Sequence, residues 1–200
     1  MAIKAYRPMT PAQRQKTTQD FDQITTKKPL KSLTRAKKQQ AGKNNQGRIT
    51  VRHRGGGVKR HYRIMTYKLP KDLTFTVEEI EYDPNRSARI ARVKDNNGVY
   101  YYVLADTKMT KGTTFKTGSE IEVEESSRMP LENIPVGTFV YAIELTPGKG
   151  AQMVRAAGAS AQLMAKEDGY ATLKMPSGEV RKVLATCEAS IGMVDRKSVV

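Results

Sequence analysis

The distribution of charge limits where a core can form in this chain. Residues 1–68 carry 18 Lys and Arg against only Asp20 and Asp22, whereas residues 69–200 carry 17 bases against 18 acids, giving nets of +16 and −1. A segment that basic repels itself unless an anionic partner lies against it, so the core must come mainly from the nearly neutral remainder. Residues 1–46 hold eight large apolar side chains (Met1, Ile3, Tyr6, Met9, Phe21, Ile24, Leu30, Leu33), without helical or strand period and punctuated by Pro8, Pro11 and Pro29. So few anchors do not offset the ordering entropy of the stretch, and an extended basic tail that orders on a partner is expected over 1–46.

From Gly47 the texture changes. Runs rich in Val, Ile, Tyr and Thr recur between turns such as Asn96-Asn97-Gly98, Lys111-Gly112, Asp168-Gly169 and Ser177-Gly178. The runs predict strands over 48–54, 59–67, 74–82, 88–94, 99–105, 119–124, 138–145, 159–166, 170–175 and 179–185. No segment keeps a 3.6-residue period over three turns, so the expectation is all-β with small barrels. Glu-Glu-Ser-Ser-Arg-Met-Pro breaks the rhythm at 125–135, which predicts domains over 47–125 and 126–200.

Several classes are excluded or disfavoured by what the chain lacks. No apolar run approaches the about 18 residues that cross a bilayer, which argues against a membrane partner. The N-terminus has no continuous apolar stretch of the secretory kind. Cys187 is the only cysteine, so neither an internal disulfide nor a Cys-rich zinc site can form. His53 and His61 are the only histidines, and a metal site built on them would need carboxylates. The expectation is a reduced, intracellular protein without metal, cofactor or small-molecule substrate.

The most informative stretch is GRITVRHRGGGVKRHYR, residues 47–63. Read as a strand, it puts Ile49 and Val51 on one face and Arg48, Thr50, Arg52 and Arg54 on the other. Three guanidiniums on one face call for an anion, and the forked donors of Arg suit phosphate. Gly55, Gly56 and Gly57 let backbone N–H groups approach that anion closely. Lys59, Arg60 and Arg63 extend the charge, while His61 and Tyr62 can stack on an unpaired base, a mixture suited to RNA.

Two further motifs are candidates. Asp83-Pro84-Asn85 predicts a tight turn from which Arg86 and Arg89 reach a second phosphate. Pro147-Gly148-Lys149-Gly150 superficially suggests a nucleotide loop, but Gly150 stands where a Walker motif needs Ser or Thr. That loop reads instead as backbone lying close against a large partner, with Lys149 and Arg155 as its charges. Glu120, Glu122 and Glu124, and likewise Glu78, Glu79 and Glu81, read as solvated strand edges. Cys187 has no neighbouring histidine and reads as a core thiol. No catalytic constellation is legible, so an enzyme is not expected.

The strings NNQGRITVRHRGGGVKRHYRI (44–64), IEYDPNRSARIA (80–91), IPVGTFVYAIELTPGKGAQMVRAAG (134–158) and LKMPSGEVRKV (173–183) resemble the bacterial form of the large-subunit ribosomal protein two family, as does the opening MAIKAYRPMTP. The resemblance implies an OB-fold barrel followed by an SH3-like barrel. It implies a structural binder of large-subunit ribosomal RNA near the peptidyl transferase centre, supporting assembly, in a cytoplasmic ribosome or an organellar one, beside neighbouring ribosomal proteins. By position, RNA contacts are carried over to Arg48, Arg52, Arg54, Gly55–Gly57, Arg86, Lys149 and Arg155, with the tail threading between RNA helices. Family members usually have His where Val58 stands and Gly where Ala151 stands, and they continue past the position of Val194 through a basic arm that this sequence, which stops at Val200, does not include. On the residues alone, a transient translation or transcription factor and a general nucleic-acid binder remain alternatives.

Overall fold

A computed structural model describes residues 3–19 and 21–197. Its strands are β1 (Ile3–Ala5), β2 (Thr17–Gln19), β3 (Thr34–Ala36), β4 (His61–Arg63), β5 (Leu73–Glu81), β6 (Ile90–Asp95), β7 (Tyr100–Leu104), β8 (Thr114–Thr117), β9 (Arg128–Pro130), β10 (Phe139–Tyr141), β11 (Ala161–Glu167), β12 (Tyr170–Lys174), β13 (Val180–Leu184) and β14 (Glu188–Ile191). Helix is confined to three single 3-10 turns among the described residues. The all-β expectation holds.

Ten strands form one sheet in the order β13-β12-β11-β10-β14-β9-β8-β5-β6-β7. Antiparallel β5–β8 make a first module and β9–β14 a second, joined by a parallel contact between Thr117 and Arg128. In β5, alternation buries Phe75 and Val77. A bulge between Val77 and Glu79 then shifts the phase so that Ile80 and Glu81 also turn inward. Phe75 stacks on Phe115 at 5.4 Å between ring centroids and meets Tyr101 edge-on at 5.8 Å. This cluster belongs to the first module alone. The larger cluster crosses the boundary, packing Ile90, Tyr102 and Leu104 with Met129, Leu131 and Ile143. The C-terminal segment adds to the join, since Asp195 N–H donates to Ala105 O (2.9 Å) and Thr107 N–H to Met193 O (3.1 Å).

Four sequence expectations need correction. Residues 48–54 are not a strand; they lie inside an irregular loop, 37–60, between the paired β3 and β4. Its Ile49 and Val51 are 65% and 48% exposed, so no core draws that segment into a sheet. Residues 119–124 are likewise irregular, and the strand there is β8, earlier in the chain. The tail is only partly extended: β1 pairs with β2, Leu30 and Leu33 pack on the larger cluster, and Leu30 N–H donates to the Tyr102 hydroxyl at 2.9 Å. Those two leucines suffice because the barrel supplies the apolar surface the tail lacks. Finally, Glu81 is no solvated edge. It is buried, accepting from Tyr102 Oη (2.8 Å) and Arg92 Nη1 (3.0 Å), and burial raises its pKa while pushing that of Tyr102 up to about 12.

Candidate nucleic-acid interface

The loop 37–60 carries Lys37, Lys38, Lys43, Arg48, Arg52, Arg54, Lys59 and Arg60 and no acid. Apart from half-buried Ala41 and Gly42, every residue in it is exposed. It is nonetheless organised. The Asn44 side-chain oxygen accepts the N–H groups of Gln46 (3.0 Å) and Arg48 (2.9 Å), and Asn44 N–H donates to Arg48 O at 2.9 Å. The Gly42 carbonyl accepts from Thr50 N–H (3.0 Å) and Val51 N–H (3.2 Å). A Cβ on Gly42 would sit 2.0 Å from Val51 O, at a φ of +69° that side chains rarely adopt. Gly42→Ala is therefore expected to weaken RNA binding severalfold while changing global stability by less than about 0.5 kcal/mol, because the loop adds little to the core. Filter binding beside urea unfolding checks both halves.

The end of this loop and the start of β4 meet the Asp83–Arg86 turn. Arg60 Nη1 donates to Pro84 O (3.1 Å) and the Asn85 side-chain amide to His61 O (2.8 Å). The turn forms as expected, with Asp83 Oδ1 accepting Asn85 N–H at 2.9 Å. Arg86 then bridges inward, from Nε to Asp83 Oδ2 (2.6 Å) and from Nη1 to the Tyr67 hydroxyl (3.0 Å). The Arg155 guanidinium lies 4.7 Å above the same Tyr67 ring. Tyr67 O also accepts Ala151 N–H at 2.9 Å, which docks the second module's loop against the first. The loop thus touches the turn through Arg60, and the turn and the second module's loop meet at Tyr67, which sequence reasoning passed over.

The predicted residues divide by exposure. Arg48, Arg52, Arg54, Gly55, Gly56, Gly57, Lys59, Arg60, Lys149 and Arg155 are exposed. Arg86 is half-buried and engaged within the protein. Arg63 and Arg89 correct the sequence reading. Arg63 is 8% exposed, on the inward side of β4, with Nη1 donating to His61 O. Arg89 is 2% exposed and pairs with Asp195 at 3.0 Å. Cys187 is buried, and burial raises its pKa.

A second missed residue is Glu144, which is fully buried beneath the 145–150 loop. It accepts Gly148 N–H (3.1 Å), Gly150 N–H (2.9 Å) and Arg128 Nη2 (3.2 Å). A lone acid within the apolar run Val140–Leu145, just before a glycine-rich loop, was the available signal. Arg128 also donates to Ala142 O (2.9 Å) and Glu188 (3.1 Å), and Lys71 pairs with Glu188 at 3.1 Å. Two cations thus balance two carboxylates.

Lys197 closes the turn from behind, donating to the carbonyls of Asp83 and Arg86 and lying 3.7 Å from the Tyr82 ring centroid. Burial, opposed by Asp83 and reinforced by Arg86, Arg89 and Arg63, lowers its pKa to about 8 from 10.5. Between those values the unfolded chain holds a proton the folded one has lost, so this lysine makes stability rise with pH. The unfolding free energy of the wild type minus that of Lys197→Met is expected to climb from pH 8 to 10.5. A flat difference would contradict this.

Among the described residues, no helix is long and apolar enough to cross a membrane. Residues 30–117 match the family model described as Ribosomal Proteins L2, RNA binding N-terminal domain, and residues 124–199 match Ribosomal Proteins L2, C-terminal domain. The two modules are accordingly an OB-fold and an SH3-like barrel.

Proposed function

The chain belongs to the ribosomal protein L2 family, and from that premise we propose that it is a structural, non-catalytic constituent of the large ribosomal subunit that binds large-subunit RNA. The finer reading places it near the peptidyl transferase centre, beside neighbouring proteins, in a cytoplasmic ribosome, with a role in subunit assembly. We read residues 47–125 and 126–200 as the two domains, and 1–46 as an arm that lies along RNA beyond its docked portion.

The observation that carries the reading is convergence. The acid-free loop 37–60 holds the Asp83–Arg86 turn through Arg60, and that turn and the 147–155 loop, one from each module, meet at Tyr67. A charged surface assembled from three segments and fixed by hydrogen bonds between them suits a large, irregular polyanion. Its recognition is led by shape and backbone geometry, as irregular RNA offers little readable major groove.

Sedimentation tests it. A tagged chain is expressed and the lysate run on a high-salt sucrose gradient. The expected result is co-migration with the large subunit after the wash. Recovery at the top of the gradient, or with the small subunit, would overturn the assignment.

A further inference from the structure

We propose that the loop between β3 and β4 holds a single unstacked RNA nucleotide in a preformed cup, a deepening that rests on the RNA-binding reading above. Residues 37–43 with Thr50, Val51, Arg54 and Gly56 wall a concavity of about 430 Å³, inside the roughly 300–1,000 Å³ usual for small-ligand sites. The wall is graded by chemistry. Lys37, Lys38, Lys43 and Arg54 contribute four positive charges, and no acid lines the cup. The amides of Gln39 and Gln40 offer donors and acceptors together, as the edge of a base does. Ala41 and Val51 supply apolar surface between them, with the Val51 side chain still 48% exposed.

Each alternative ligand leaves part of that wall unused. A bare phosphate engages only the cations. A paired helix presents its backbone to the cations but keeps its base faces stacked and out of reach of Val51. A splayed nucleotide uses everything: base against Ala41 and Val51, base edge on the glutamine amides, phosphate on Arg54 and the lysines. The cup exists before the ligand arrives, because the two bonds to Gly42 O hold residues 50 and 51 across 42. Little ordering entropy then remains to be lost on binding. Val58, 87% exposed in the same loop, takes no part in the cup and serves as an internal control.

The test uses the full chain and a pool of RNA hairpins carrying one randomised bulged nucleotide with 2-aminopurine at or beside it, against the same hairpins fully paired. Bulged RNAs are expected to bind about tenfold tighter, the size of one base contact, with a change in 2-aminopurine fluorescence on binding. Val51→Glu is expected to abolish both the preference and the fluorescence change, whereas Val58→Glu, which adds the same charge to the same loop, lowers affinity for bulged and paired RNAs alike and preserves both. Equal affinity for bulged and paired RNAs, or equal effects of the two variants, overturns the cup while leaving RNA binding intact. Displacement of bulged RNA by micromolar nucleoside monophosphate overturns RNA as the source of the nucleotide. Failure to bind either RNA overturns the cup and the RNA-binding reading together.

Discussion

Replacing Arg128 with methionine is expected to cost about 3–5 kcal/mol of folding stability, the range for removing one partner of a buried ion pair. Arg128 is 3% exposed and Glu144 is fully buried, so the substitution strands a carboxylate that water does not reach. The loss should register as a lower urea midpoint with an unchanged slope, since the same surface is exposed on unfolding. Removing Glu144 as well, as Arg128→Met with Glu144→Leu, usually restores much of such a loss. Here recovery is expected to be poor, because Glu144 also accepts Gly148 and Gly150 N–H groups that leucine leaves unpaired. A double-mutant cycle reads this directly, and full recovery would show that the glycine contacts are energetically idle. RNA affinity should fall with Glu144→Leu even at temperatures where the variant stays folded, since the loop bearing Lys149 loses its support from below.

Substituting Arg52 and Arg54 together by alanine should do the reverse, sparing the fold and weakening RNA binding. Both side chains are exposed and have no hydrogen-bond or ion-pair partner among the described residues. If each neutralises one phosphate, the slope of log affinity against log salt falls by about 1.4–1.8 in magnitude, which at 0.1 M salt is roughly a 25- to 60-fold loss. Changing both to lysine should keep the slope and lose part of the affinity, because an ammonium has no bidentate fork. A large drop in thermal stability with unaltered binding would remove these residues from the interface.

The strands legible in the sequence are those joined by strong turn chemistry. Asp168-Gly169, both with positive φ, joins β11 to β12, and Asp95 Oδ1 caps the turn before β7 by accepting Asn97 and Val99 N–H groups at 2.8 Å each. The strands that escaped are β1, β2, β3, β8, β9 and β14, each of three or four residues. In β9 and β14 the inward residues include Arg128 and Glu188, so a charge that is paired inside the protein looks, in sequence, like a break in the rhythm. The opposite error occurred at 48–54, where alternation was real in the letters but nothing apolar faced Ile49 or Val51. For the interface, the charged residues were visible because a basic, acid-free run has few other uses. Tyr67 and Glu144 were harder to see, because their importance comes from what the fold brings to them.

The place of β14 sets a timetable for synthesis. It lies between β10 and β9, and the residues after it bind back to Ala105 and Arg89. The first module ends at Thr117, but the second cannot finish docking on it before Asp195 is made, 78 residues later. At roughly 5–20 residues per second that interval is about 4–16 s. Once β9 and β10 have been made, the nascent chain displays a basic arm beside their open edges, a state that invites stray RNA and strand-to-strand association. Slowing translation within 131–188 should therefore lower the yield of soluble protein more than slowing it anywhere earlier.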